Sequence, residues 1–141
     1  MAVFHSHSEE ETKQIAAELA GRVGPGTVIA FTGGMGMGKT AFTSGFLRGL
    51  GRNVSVSSPT FSLINDYGGD PPVYNFDMYR IDSYRDLEST GFFDYIDGYS
   101  IILIEWSENI KEYLPDGYIS INISPGDSPD ERIITTGVVR K

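Results

Sequence analysis

"GGMGMGKT", residues 33–40, puts four glycines into eight positions and closes them on Lys39 and Thr40. Glycine loses more conformational freedom on folding than any other residue, so crowding it here must gain something. Glycines let the backbone bare its N–H groups and approach an anion closely. Gly33, Gly38, Lys39 and Thr40 fit G-x-x-x-x-G-K-[ST], the loop that cradles nucleotide phosphates. The context fits as well. "TVIAF" (27–31) precedes the loop with β-branched residues and no charge, as a strand would. "AFTSGFLRGLG" (41–51) follows it with Phe42, Phe46, Leu47 and Leu50 at helical spacing and stops at Gly51. In such a strand–loop–helix unit the amides of Gly33, Gly34, Met35, Gly36, Met37 and Gly38 curl around the β-phosphate. The helix N-terminus adds partial positive charge. Lys39 reaches the β- and γ-phosphates, and the Thr40 hydroxyl binds Mg²⁺. A dinucleotide fingerprint is excluded, because the third glycine it requires after Gly34 and Gly36 is Lys39.

Outward from the loop, the chain reads as one α/β domain over residues 1–141. "SEEETKQIAAELAG" (8–21) opens with Ser8 and Glu11 at capping-box spacing and carries Ile15, Ala16, Leu19 and Ala20 on one face of a helix. "VSVS" and "SPTFSLINDY" suggest a strand pair interrupted by Pro59, "GGDPP" (68–72) a turn, and "VYNFDMY" the returning strand. "SYRDLE" from Ser83 suggests a short helix. "SIILIEW" is an apolar run suited to a strand buried on both faces. "YISINI" and "ERIITTGVV", separated by "SPGDSPD", suggest a closing hairpin. The expected fold is therefore a mostly parallel central sheet with flanking helices and a C-terminal β-hairpin.

Composition bounds the chemistry. With no cysteine there is no disulfide framework, thiolate nucleophile or cysteine-bound zinc. Nineteen acids against 11 bases give a net charge of −8, which disfavours direct, general binding to a phosphate backbone. Any phosphate must be held by local geometry against that field. The two histidines, His5 and His7, fall in "FHSHSEE", read here as a solvated, frayed start. No basic-then-apolar leader and no run of roughly 20 apolar residues is present, so a cytoplasmic protein is expected.

A phosphate cradle needs acids for metal and water. "IILIE" ends four aliphatics on Glu105, delivering one carboxylate to the C-terminal edge of the sheet. "NFDMYR" (75–80) supplies Asp77, to position water or support the metal, and Arg80, to stabilise developing charge or pair with Asp77. "SSPTF" offers Thr60 on a proline-restricted loop, where a hydroxyl could sense a γ-phosphate. Trp106 reads as a core or lid aromatic.

In this order, "GGMGMGKT", "SPTF", "NFDMYR" and "LIEW" resemble the TsaE (YjeE) family, bacterial ATPases needed to make threonylcarbamoyladenosine in tRNA. The resemblance runs from Ser8 to the last hairpin. It implies that Thr40 and Glu105 bind magnesium, that Asp77 is the essential aspartate of the "HxDLYR" segment, and that Thr60 is the threonine of the "SPT" loop. It puts Ser8 at the opening of the first helix, near the nucleotide base. The catalytic set is then Asp77, Glu105 and Lys39; from the chain's own cations, Arg80 and, second, Arg132 of "ERI" in the final hairpin are sources of positive charge on the nucleotide. ATP and Mg²⁺ are the implied cofactors. TsaD and TsaB are the implied partners, with tRNA met only through their complex. The family's usual histidine is Asn75 here, which cannot carry a proton at neutral pH. A small-molecule kinase is the alternative, though the seven arginines are scattered and form no lid. A GTP switch is a third reading; "DYGG" (66–69) matches a loose D-x-x-G pattern, but no N-K-x-D guanine reader occurs.

Overall fold

The computed structural model describes residues 1–33, 38–54, 56 and 63–141. Its strands are β1 (Ala2–Ser6), β2 (Val28–Thr32), β3 (Ile64–Gly68), β4 (Val73–Asp77), β5 (Ile101–Glu105), β6 (Tyr118–Pro125) and β7 (Arg132–Val139). Its helices are α1 (Glu9–Ala20), α2 (Lys39–Gly49), α3 (Tyr84–Ser89) and α4 (Phe92–Tyr95), with a 3-10 segment over Ser107–Tyr113. The strands form one mixed sheet in the order β1-β7-β6-β2-β5-β4-β3. The expected parallel sheet is found at its centre, where β5 lies parallel to both β2 and β4. At the edges β1 runs antiparallel to β7 and β3 antiparallel to β4.

The chain divides into two compact units. One comprises Gly24–Thr32, Phe61–Ser120 and Val138–Lys141. Here the period of two along each strand separates two faces. Val28, Ala30, Phe76, Ile102 and Ile104 join Met78, Leu87, Phe92, Ile110 and Leu114 in an apolar core. Tyr95 packs edge-on against Phe76 and Tyr74, with ring centres 5.1 and 4.7 Å apart. The alternate residues, Asn75 and Asp77 on β4 and Leu103 and Glu105 on β5, lie on the other face. The run Ile101–Ile104 is buried throughout, as a strand covered on both faces must be. Ser83 caps α3 by accepting from the Asp86 amide.

The second unit comprises Met1–Val23, Gly33–Thr60 and Ile121–Gly137. Ser8 caps α1, its Oγ accepting from the Glu11 amide at 3.0 Å. The helices α1 and α2 approach at backbone distance because of two glycines. A Cβ on Gly45 would lie 2.2 Å from the Lys13 carbonyl oxygen, and one on Gly49 would lie 2.4 Å from that of Ala17.

The reading of "FHSHSEE" (4–10) as a solvated, frayed start holds for its exposure but is corrected for its order. Ala2–Ser6 is an edge strand, in register with β7 from Ala2↔Thr136 to Ser6↔Arg132. Its side chains are exposed until Ser6, so no apolar alternation marked it; long-range backbone pairing with β7 supplies the order. Ser6 Oγ and Thr12 Oγ1, buried 2.6 Å apart, tie that strand to α1.

Candidate functional site

The glycine loop leaves β2 at Gly33, where two demands meet. Its φ is +111°, and a Cβ there would lie 2.5 Å from the Ile123 carbonyl oxygen. Only glycine fits that position. Gly38, with φ +94°, caps the N-terminus of α2 without a side-chain hydrogen bond. No acid occupies the first turn of that helix. Polar side chains and acids are the usual partners for the amides and dipole of a helix start. Their absence leaves α2 opening as an anion site opens. Lys39 is only 6% exposed, and its Nζ donates to the Gly33 carbonyl at 3.4 Å, folding back along the loop it terminates.

The structure brings Arg132 to this loop. Its Cγ and Nε lie 3.9 Å from where a Cβ of Gly38 would stand, and its Nη1 donates to the Pro129 and Glu131 carbonyls at 2.8 Å. Thr40, in the first turn of α2, is half-buried. Ser8 sits at the N-cap of α1 with its hydroxyl engaged by that helix. Gly34, Met35, Gly36, Met37 and Thr60 lie outside the described residues, as do half of "VSVS" (54–57) and the first half of "SPTFSLINDY" (58–67) in the expected strand pair.

The acids belong to the other unit. Parallel pairing puts the C-terminal ends of β2, β5 and β4 at one edge of the sheet. Those ends are Thr32, Glu105 and Asp77. Asp77 and Glu105 are direct partners across β4 and β5. The backbone around them is stitched down. The Met78 amide donates to the Glu105 carbonyl at 3.0 Å, and the Asp77 amide to that of Leu63 at 2.9 Å. Asn109 Nδ2 donates to the Met78 carbonyl at 2.9 Å. Asp77 Oδ1 accepts from the Tyr79 amide at 3.0 Å. Among the described residues Arg80 makes no ion pair with Asp77. Trp106, directly after Glu105, holds the left-handed conformation at φ 58° and packs on Tyr79 with ring centres 4.9 Å apart. It is an aromatic neighbour of the acid, as a lid or core residue would be. Ser107 Oγ then donates to the Phe31 carbonyl at 2.8 Å, fixing the β5 exit to β2.

Two residues complete this edge. Asn75 Nδ2 donates to Glu105 Oε2 at 3.3 Å. Its own Oδ1 is buried and has no hydrogen-bond partner among the described residues. An orphan acceptor of this kind costs a fold about 1–3 kcal/mol. The antiparallel register of β3 and β4 shifts between Asp66 and Gly68, at Tyr67. Burial raises the Tyr67 phenol above its ordinary pKa; a side-chain hydrogen bond with Asn75 lowers it, and the negative charge of Glu105 raises it again. Tyr67 was missed by sequence reasoning. Its one signal was the "YGG" step, in which Gly68 and Gly69 both take positive φ and permit the bulge.

A family model described as threonylcarbamoyl adenosine biosynthesis protein TsaE matches residues 6–134. The tRNA threonylcarbamoyladenosine biosynthesis protein TsaE of Bacillus subtilis is 43% identical over 128 residues, 89% of this chain and 78% of that protein. The protein of the same description from Rickettsia conorii is 37% identical over 86% of this chain and 70% of its own. The crystal structure of Bacillus subtilis YdiB superposes with a TM-score of 0.78 at 34% identity, covering 99% of this chain and 86% of that one. The glycine loop, the "NFDMYR" strand and the Glu105 strand all fall inside the matched span, and the chain belongs to the TsaE family of threonylcarbamoyl adenosine biosynthesis proteins.

Proposed function

We propose that residues 1–141 act as one P-loop ATPase domain, a cytoplasmic subunit that binds and hydrolyses ATP in support of tRNA threonylcarbamoyladenosine formation by TsaD and TsaB. The observation that carries this reading is the start of α2. Gly38 caps it with no side-chain bond, and the buried Lys39 folds back to Gly33. A helix start with no acid in its first turn and a buried, ammonium-bearing lysine as its first residue suits a triphosphate. The net charge of −8 argues that tRNA is met through the partners rather than gripped directly.

Residue roles follow from chemistry. The loop from Gly33 to Gly38 and Lys39 bind the phosphates, and Arg132, against Gly38, adds positive charge there. Ser8 and Thr60 complete the nucleotide set. Thr40 and Glu105 offer a hydroxyl and a carboxylate, the hard oxygen donors that suit Mg²⁺. Among the described residues no cluster of three His, Asp or Glu forms a cage. Two protein donors suit an ion that keeps waters and shares phosphate oxygens. When bound, Mg²⁺ neutralises charge on the β- and γ-phosphate oxygens. Asp77, held by the Tyr79 amide, orients the attacking water at the edge it shares with Glu105.

The chain alone is a weak ATPase, because the cation that stabilises the transition state falls to Arg80, three residues from Asp77, with Arg132 as a second source. Phosphate release at fixed Mg²⁺, with ATP and then GTP, with and without TsaD and TsaB, tests this. Turnover should favour ATP and rise when the partners are added. Glu105→Ala and Asp77→Ala should keep nucleotide and lose turnover. Rapid hydrolysis indifferent to the partners, or transfer of phosphate to a small acceptor instead of water, would overturn the reading.

A further inference from the structure

We infer that Asn75 is a positioning residue for Glu105, kept for the geometry of that carboxylate at the expense of the fold. The inference rests on the role proposed for Glu105. Asn75 is 7% exposed, lies between Asn65 of β3 and Leu103 of β5, and shares a sheet face with Glu105. A leucine is close to asparagine in shape and would fill a buried position between strands without any orphaned polar atom. Asparagine instead leaves Oδ1 buried with no partner among the described residues while its Nδ2 donates to Glu105 Oε2 at 3.3 Å.

Buried polar groups in folded proteins nearly always find partners, and an exception needs a reason. The Tyr67 phenol also hydrogen-bonds Asn75, but it is half-buried and can turn to water, so stability supplies no full reason here. Glu105 is only half-buried, so water can reach it, and the bond to Asn75 is long for a charge-assisted one. What the bond fixes is which way the carboxylate faces at the end of β5. Asp77 cannot do this, although it is the direct neighbour across the strands: it is itself an acid and would repel Glu105. Tyr67, raised by its own burial, stays protonated beside the pair and adds no charge. The neutral amide donates to the carboxylate without competing for its cation.

The test compares the full chain with Asn75→Leu, which removes both amide atoms, and Asn75→Asp, which keeps the shape and removes the donor. Two quantities are read in each: the melting temperature without ligand, and the Mg²⁺ concentration that half-saturates magnesium-dependent nucleotide binding by calorimetry, alongside turnover. Asn75→Leu should melt no lower than the parent, need several-fold more Mg²⁺, and turn over at least tenfold more slowly. Asn75→Asp, which replaces the donor by a second acid beside Glu105, should also lose turnover. A lower melting temperature for Asn75→Leu would make Asn75 a structural residue and overturn the inference. Parental magnesium dependence and turnover in either variant would overturn it as well. Failure of the parent chain itself to bind ATP would instead remove the functional reading on which the inference rests.

Discussion

Gly45→Ala decides between two opposed effects whose sizes can be worked from the structure. Alanine is a better helix former than glycine by about 1 kcal/mol, so at an open helical site the change would stabilise the protein. Gly45 is not open. The added methyl would lie 2.2 Å from the Lys13 carbonyl oxygen and 2.5 Å from its Cα, against 3.4 Å for ordinary contact. Both atoms are backbone, so no rotamer change relieves the overlap, and α1 must retreat by about 1 Å. Retreat loosens the burial of Thr12, Ala16 and Ala20, which are the inward face of that helix. Overpacking of this kind costs about 3 kcal/mol at the upper end of its usual range. Set against the propensity gain, the net loss is about 2 kcal/mol. For a chain of this size that lowers the melting temperature by roughly 6–8 °C. Differential scanning calorimetry of Gly45→Ala beside Gly21→Ala is the measurement. Gly21 has ordinary helical geometry with φ −69°, and its Cβ would sit at 3.5 Å from the Glu18 oxygen. That control should melt at or slightly above the parent, a gain of about 0.4–1 kcal/mol. A Gly45→Ala protein that melts as high as the parent would refute the close helix crossing.

Three further outcomes follow from the site and its surroundings. Lys39→Ala should weaken ATP binding at least tenfold, about 1.4 kcal/mol, and unchanged affinity by calorimetry would remove Lys39 from the nucleotide. Ser8→Ala should cost about 1 kcal/mol of stability, because the hydroxyl caps α1 through the Glu11 amide; Ser8→Asp, which can still cap, should melt near the parent, and equal melting of both variants would deny the cap. The Ser100 and Tyr99 amides donate to Asp97 and hold its carboxyl below the usual range. A depressed folded pKa stabilises above the unfolded value of about 3.9 and is lost as pH falls through the folded one. Asp97→Asn should therefore melt with a shallower acid slope between pH 6 and pH 3, and a slope equal to the parent's would argue against those bonds.

The local signals in the chain were sufficient for its central elements. The apolar runs "TVIAF" and "IILIE" became β2 and β5, the helical spacing after Thr40 became α2, and Ser8 and Ser83 cap the helices they precede. Each is a short-range pattern of burial, capping or turn chemistry, written within about a dozen residues. Gly33 and Gly38 were legible for the same reason, since positive φ is a property of the single residue.

What tertiary structure alone decided is non-local. Strand β1 exists because Ala2–Ser6 finds β7 some 130 residues later; its exposed side chains carry no pattern of their own. Gly45 and Gly49 read as ordinary interruptions of a helix until α1 lies against them. Arg132 meets Gly38 only because the hairpin returns to the loop, and Asn75 reads as a mere replacement for histidine until β4 pairs with β5 and sets its amide on Glu105. Hydrogen bonds between distant strands leave no trace in local composition, because any backbone can make them. Which side chains they bring together is settled by the register of the sheet.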